Sequence, residues 1–236
     1  MLRGQADPSL LRTYDVERQP VGEQIVKRAN RSIEEFGPIF HALGLLDASD
    51  PQQMVANMAA RKDATPQAAA QRDELRAAIE LKNYEFNAHG VELGQRYRSA
   101  AVALDGTPEP PYERDPELYF HATTWPGARL PHCWVGRGGH RVSTLDLCGQ
   151  GRFALLTGIN GAAHWRAAAD ALEIDVPVVV IGPGQEVEDL YDDWARLREV
   201  TESGCVLVRP DMHVGWRSMD ERGDLAAALA QILGRA

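Results

Sequence analysis

Between Leu104 and His132 the chain reads LDGTPEPPYERDPELYFHATTWPGARLPH, and six of its 14 prolines fall within those residues. Each proline removes a backbone N–H and fixes φ, so neither a helix interior nor a central strand can run through such a stretch. The chain must organise itself on either side. We read the stretch as an ordered connector, or a loop wrapped on a neighbour, with a boundary between Ala103 and Gly127. The reading divides the chain into a helical region over 1–103, a Pro-rich connector over 104–126 and a third region over 127–236.

Upstream, the pattern is helical. Asp7 before Pro8 is a helix start: an N-cap residue, then proline at the first position, where its missing N–H is no loss. Leu10, Leu11, Tyr14, Val21, Ile25 and Val26 recur at roughly helical spacing. Pro20 is expected to kink or divide this run. A second helix is expected over 21–36, stopping before Gly37-Pro38. Two more are expected on either side of Thr65-Pro66, with Ile79, Leu81, Tyr84 and Phe86 buried at the end of the last.

Downstream, strands and helices alternate. RVSTLDLC and RFALLTG read as strands, GAAHWRAAADALE as a helix, and VPVVVIG as a strand covered on both faces. VEDLYDDWARLREV reads as a helix, CVLVRPDMHVGWRS as two strands about Pro210-Asp211, and DLAAALAQILGRA as a closing amphipathic helix. The fold class is α/β, or α+β over the whole chain: a helical front, then an α/β domain with a mixed sheet in thioredoxin-like order.

A formal net charge of −9 disfavours nucleic acid and anionic membrane, which select basic surfaces. No apolar run reaches the roughly 20 residues that span a bilayer. Cys133, Cys148 and Cys205 form no CxxC pair and read as reduced thiols of a cytoplasmic protein. The loop INGAAHW, where a thioredoxin would carry its redox cysteines, has none, so thiol–disulfide exchange is not expected.

The remaining candidates are few. His89, beside Gly90, suits either a substrate-site acid or base or an ordinary turn histidine. His121, His132, His140, His164 and His213 follow no metal-site spacing. GRGGHR reads as a hairpin turn and VIGPGQE as a strand-to-helix loop with Glu186 at the helix start; neither is a phosphate-cradling motif. In RPDMHVGW, Asp211 suits a tight turn, Arg209 has a carboxylate within reach of its neighbourhood, and Val214 and Trp216 are expected to alternate outward and inward. This reads as a structural hairpin. Glu17 and Arg18 are either a solvated pair of little worth or a buried pair that needs partners from another domain.

LLRTYDVERQPVG followed by ANRS resembles a segment of the class A FAD-dependent aromatic hydroxylases. These include the phenol 2-monooxygenase and 2,4-dichlorophenol 6-monooxygenase group. Their Tyr-x-x-Glu-Arg-x-Pro signature is matched here by Tyr14, Glu17, Arg18 and Pro20. The likeness continues through NAHGVELGQRYRSAAV, RDPELYFHATTWPGARLPHCWV, STLDLCGQGRFALLTG and GCVLVRPDMHVGWR, which holds Arg209, Asp211 and Trp216. It implies a thioredoxin-like C-terminal domain without redox cysteines. In the complete enzyme it implies FAD, NAD(P)H and a phenolic substrate that is hydroxylated. The family's GxGxxG, Asp-Gly and Gly-Asp-Ala motifs have no counterpart in this sequence. The resemblance therefore implies a C-terminal part, with Met1 falling inside a flavin-domain helix and no catalytic, cofactor or metal residue in the chain. Its counterpart would be a missing flavin-binding domain or partner chain, with self-association as another use of the exposed surface. The rival expectation is a stand-alone, non-catalytic interaction or assembly module.

Overall fold

The computed structural model describes residues 4–235; Met1 lies outside them. A 3-10 turn, Pro8–Leu10, opens the helical front, capped by the Asp7 carboxylate, which accepts from Ser9 N at 2.8 Å. It leads into α1, Leu11–Glu34. Pro20 does not divide α1. The carbonyl it cannot serve belongs to Val16, which is exposed, so water can satisfy that oxygen. The chain also continues past Gly37-Pro38, as α2, Phe36–Ala42. Pro38 sits in the first turn of α2, where the N–H has no intrahelical partner to lose. α3, Pro51–Ala60, and α4, Pro66–Leu81, begin as expected, with Asp50 and Thr65 capping them and proline at the first position. Two short helices follow: α5, Asn83–Phe86, and α6, His89–Leu93.

The front buries little apolar surface. Val21, Ala42, Ala68, Ala78 and Val91 are buried, whereas Ile79, Leu81 and Phe86, expected inside, are exposed. Their burial was expected from apolar character, and that character is not met by packing at these positions.

The connector holds no helix or strand over 104–126 but is tied at both ends. Glu117 accepts from Arg28 Nη1 and Gln24 Nε2, each at 2.9 Å, and from the Tyr84 hydroxyl, all in the helical front. Asp105, Thr107 and Thr124 bond Arg217 of the α/β region.

That region begins with a hairpin, β1, Trp134–Arg137, and β2, His140–Ser143. Gly138 and Gly139, both at positive φ, make its two-residue turn. RVSTLDLC is a strand only in its first half; Thr144–Leu147 is a 3-10 turn with a Ser143–Asp146 capping box. Then come β3, Ala154–Thr157; α7, Ala162–Asp170; β4, Val178–Val180; β5, Val187–Asp189; and α8, Asp193–Leu197. The chain closes with β6, Cys205–Val208; β7, Val214–Ser218; and α9, Leu225–Ile232. Two expectations need correction. VIGPGQE leads into a strand, because Val187–Asp189 pairs with β1, and only Asp193–Leu197 of the next segment is helical. β4 is an edge strand with Val178 and Val179 half-buried, so the VPVVVIG run is not covered on both faces throughout.

β2-β1-β5 form a small antiparallel sheet, and β4-β3-β6-β7 a mixed one in which only β3 and β4 run parallel. This is the thioredoxin-like order. The mixed sheet is buried on both sides. Leu156, Val206 and Val208 face the small sheet with Trp194 and Val135; Leu155 and Leu207 face α7 and α9 with Trp165 and Leu229. Val214 and Trp216 are both buried, one in each core layer, rather than outward and inward. Leu207 pairs with Trp216 and Val208 with Val214, so Gly215 is an extra residue in β7, and this bulge rotates the two side chains onto opposite faces.

We propose that the connector belongs physically with 127–236. A fragment 104–236 keeps Asp105, Thr107 and Thr124 on the buried Arg217, whereas 127–236 leaves it Glu199 alone. The shorter fragment is expected to be less stable by about 1.5–3 kcal/mol, the usual consequence of losing hydrogen bonds to a charged group. Urea unfolding of both followed by circular dichroism tests this, and equal midpoints would refute it.

Candidate functional site

Where α1 crosses the α/β region, a cleft of about 800 Å³ opens. Its apolar side is Leu10, Phe153, Ile174, Ile232 and Leu233, and its polar side is Glu17, Arg18, Tyr97, Arg209, Asp211 and His213. The β6–β7 turn supplies three of those polar groups. Met212 takes φ 70° in it, which turns the chain tightly enough for Arg209, Asp211 and His213 to face one another.

The centre is an ion pair between the two halves of the chain. Glu17 lies on the buried face of α1 with Val21, Arg28 and Ser32 and is only 7 % exposed. Arg209 grips it bidentately, Nη1 to Oε1 at 2.7 Å and Nη2 to Oε2 at 2.9 Å. Ser99 Oγ donates to the same carboxylate at 2.6 Å. Arg209 also holds Asp211, Nη2 to Oδ2 at 2.7 Å. Burial alone would raise the Asp211 carboxyl, but His213 and Arg209 beside it prevail and hold it far below the usual carboxylate range. Burial would lower the Arg209 guanidinium, yet its bond to Glu17 and the nearby Asp211 raise it. Tyr97 stacks on His213 with ring centroids 4.4 Å apart, and its hydroxyl accepts from Arg18 Nη1 at 2.6 Å. The arrangement is a fixed, neutralised cluster, suited to clamping α1 to the sheet.

The signature positions thus converge in part. Glu17, Arg18, Arg209 and Asp211 meet at the cleft, and Tyr14 stands at its rim, 72 % exposed. Pro20 lies farther along α1, and Trp216 packs edge-on to Trp165 in the core, centroids 6.0 Å apart. His89 is exposed at the start of α6, away from the cleft. A second cluster went unread in the sequence: Arg217, 4 % exposed, lies between Asp105 at 2.5 Å and Glu199 at 2.6 Å. The Asp105-Gly-Thr107 turn was legible, but its pairing with a residue 112 positions away was not.

No thiol is poised to react. Burial pushes Cys133 and Cys148 up to about 12 and Cys205 higher still. Among the described residues no group of three or more His, Cys, Asp or Glu could hold a metal.

A flavin nucleotide needs free backbone N–H groups at a helix N-terminus for its pyrophosphate. The nearest approach is β3–Gly158-Ile-Asn-Gly161–α7, and it does not fit. A Cβ on Gly158 would strike Glu202, and one on Gly161 would strike Thr157 and Ser203, so the glycines serve close packing. Ile159 N already donates to the Glu202 carboxylate at 3.0 Å, an anion in place of an anion site.

Residues 123–236 match the family described as the C-terminal region of aromatic-ring hydroxylases. Those residues belong to that family. It is 55% identical over 240 residues to a 2,4-dichlorophenol 6-monooxygenase of Delftia acidovorans, with 99% of this chain and 41% of that protein covered. It is 49% identical to a phenol 2-monooxygenase of Pseudomonas sp. (strain EST1001), covering 99% of this chain and 39% of that one. Among solved structures, the flavin-dependent monooxygenase PieE in complex with FAD and substrate superposes with a TM-score of 0.90 at 49% identity, over 100% of this chain and 42% of its own. The chain therefore spans about two fifths of the length of the curated relatives it matches. Within this aromatic-ring hydroxylase frame, Arg209, Asp211 and Trp216 lie inside the family region, whereas Tyr14, Glu17, Arg18 and Pro20 precede it.

Proposed function

We propose that this chain is the C-terminal part of an FAD- and NAD(P)H-dependent monooxygenase that hydroxylates phenolic compounds in the cytoplasm. The carrying observation is the match along the whole chain to two phenol-type monooxygenases, at 55% and 49% identity. The geometry supports the same division of labour. The glycine-flanked start of α7 does not suit a flavin pyrophosphate, so FAD would be held by the remaining portion that the relatives possess. FAD would supply the oxygen-activating chemistry there. This chain would contribute α1 and the cluster of short helices as a support for that portion, with the α/β domain clamped to α1 through Glu17 and Arg209. Apolar side chains on the front, among them Leu11, Ile25, Ile33, Phe36 and Phe40, are exposed and offer the surface such a support needs.

Two measurements test the reading. Titrated with FAD, the isolated chain is expected to show no stoichiometric submicromolar binding by flavin fluorescence. Joined to the remaining N-terminal portion of the Delftia acidovorans relative, it is expected to retain FAD and oxidise NAD(P)H in response to phenols, releasing hydroxylated product. A joined protein that folds and holds FAD yet hydroxylates no phenol or chlorophenol, while the intact relative does, would overturn the assignment.

A further inference from the structure

α1 has a second face beside the one it buries. Leu11, Tyr14, Arg18, Gly22, Ile25, Ala29 and Ile33 follow one another at spacings of three or four and so form one line along the helix. All seven are exposed. Four are large and apolar, and two are small. A Cβ built on Gly22 meets nothing within 4 Å, so another backbone could approach closely at mid-helix. Arg18 is the single charged member. Its Nη1 donates to Tyr97 OH at 2.6 Å, and among the described residues it forms no salt bridge with any carboxylate; Asp15, which borders the line, is not bonded to it. Tyr97 is itself 6 % exposed and stacked on His213, so this bond ties the exposed Arg18 side chain to a buried ring.

A partner that covers this line must cover Arg18 with it. Burying an unpaired guanidinium costs several kcal/mol, and only an anion in good geometry offsets that. The occupant follows from the relatives, whose length exceeds this chain by more than half of their own. We infer that the N-terminal, flavin-bearing portion packs along the Leu11–Ile33 line and carries a carboxylate side chain that pairs with Arg18. This rests on the function proposed above and deepens it: Arg18 is a positioning residue for the joint and touches neither flavin nor substrate. The shape of the line supports the pairing. Apolar contacts on either side of Arg18 exclude water from the ion pair, while Gly22 and Ala29 let the facing backbone come close enough for a short acidic side chain to reach it.

The test compares two settings of the same substitutions. In the isolated chain Arg18 is exposed, so Arg18→Gln is expected to move the thermal midpoint by less than about 1 °C. In the protein joined to the Delftia acidovorans N-terminal portion, the same change is expected to lower it by about 5 °C or more. Arg18→Lys is expected to recover part of that loss, and Arg12→Gln, off the line, to leave both settings unmoved. The shift in the joined protein is expected to persist after FAD is stripped; its disappearance would mean that Arg18 meets the cofactor's phosphates, and the carboxylate pairing would be abandoned. Equal shifts in both settings, or none in either, would overturn the inference while leaving a phenol-hydroxylating joined protein, and hence the proposed function, intact. A joined protein that neither folds nor holds FAD would overturn both.

Discussion

Glu17→Ala is expected to lower the unfolding free energy by about 3–5 kcal/mol, the range for removing one partner of a buried ion pair. The reason lies in what remains. Arg209 is buried and cannot deprotonate, so without Glu17 its one remaining charged partner is Asp211, whose side chain is half-exposed, beside a long 3.4 Å bond to the Ala101 carbonyl. Ser99 Oγ loses its acceptor as well. Because Glu17 sits in α1 and Arg209 at the end of β6, the loss falls on the joint between the two halves. Urea unfolding of Glu17→Ala, Arg209→Met and the double variant separates the contributions. The double variant is expected to be more stable than Glu17→Ala, because no charge is then stranded. If Glu17→Ala changes stability by less than about 1 kcal/mol, the pair is solvated and the clamp does not exist. A second expected signature is faster amide exchange in Glu17→Ala over 11–21, around the lost clamp, than over 24–34, where Gln24 and Arg28 still bond Glu117.

How far the sequence could be read depended on the range of the interaction. Local rules held where they were local. Asp50-Pro51 and Thr65-Pro66 start helices because cap and proline act within one turn. Gly138-Gly139 makes a hairpin because both residues need positive φ. The order of the α/β region was legible because Val206 and Val208 alternate with Cys205 and Leu207 across a sheet buried on both sides. The failures have tertiary causes. Pro20 was expected to kink or divide α1, but α1 runs on unbroken through it, with the carbonyl it cannot serve on the exposed Val16. Gly215 converts a simple alternation into a bulge, which no propensity signals. Val187–Asp189 is a strand because β1 offers it an edge. The site divides the same way. Arg209 and Asp211 were legible as neighbours in a turn, and the resemblance drew attention to Glu17, but only the fold brings Glu17 to Arg209 across 192 positions. The burial of Ile79, Leu81 and Phe86 was expected from apolar character alone, and that character does not say which molecule does the covering.

Replacing Arg217 by leucine is expected to have an effect as large, with the opposite pH signature from an ordinary loss of a salt bridge. In the wild-type chain burial would raise the Asp105 carboxyl, but the bonds from Arg217 and Thr107 outweigh it and leave it below its ordinary value. A depressed carboxylate stabilises the fold above its unfolded pKa, and that contribution is lost as pH falls through the lower folded value. Wild-type stability should therefore decline on acidification below about pH 4. In Arg217→Leu the cation is gone, while the Asp105 side chain stays buried beside Glu199, which Thr123 and Thr124 still hold. Two carboxylates then share one desolvated site, and the Asp105 pKa should rise above its unfolded value. The sign reverses: the variant pays its full penalty at neutral pH, about 3–5 kcal/mol, and recovers part of it as pH falls through the raised pKa. Unfolding free energies of both proteins at pH 7.5, 6 and 5 provide the check. The gap between them should narrow on acidification. A gap that stays constant or widens would mean that Arg217 acts through packing alone, and the connector would then owe its attachment to Ala103 and Trp125 rather than to the charge cluster. An Asp105→Asn, Arg217→Leu double variant, which removes the stranded charge, should show a smaller deficit at pH 7.5 than Arg217→Leu alone and little further change with pH.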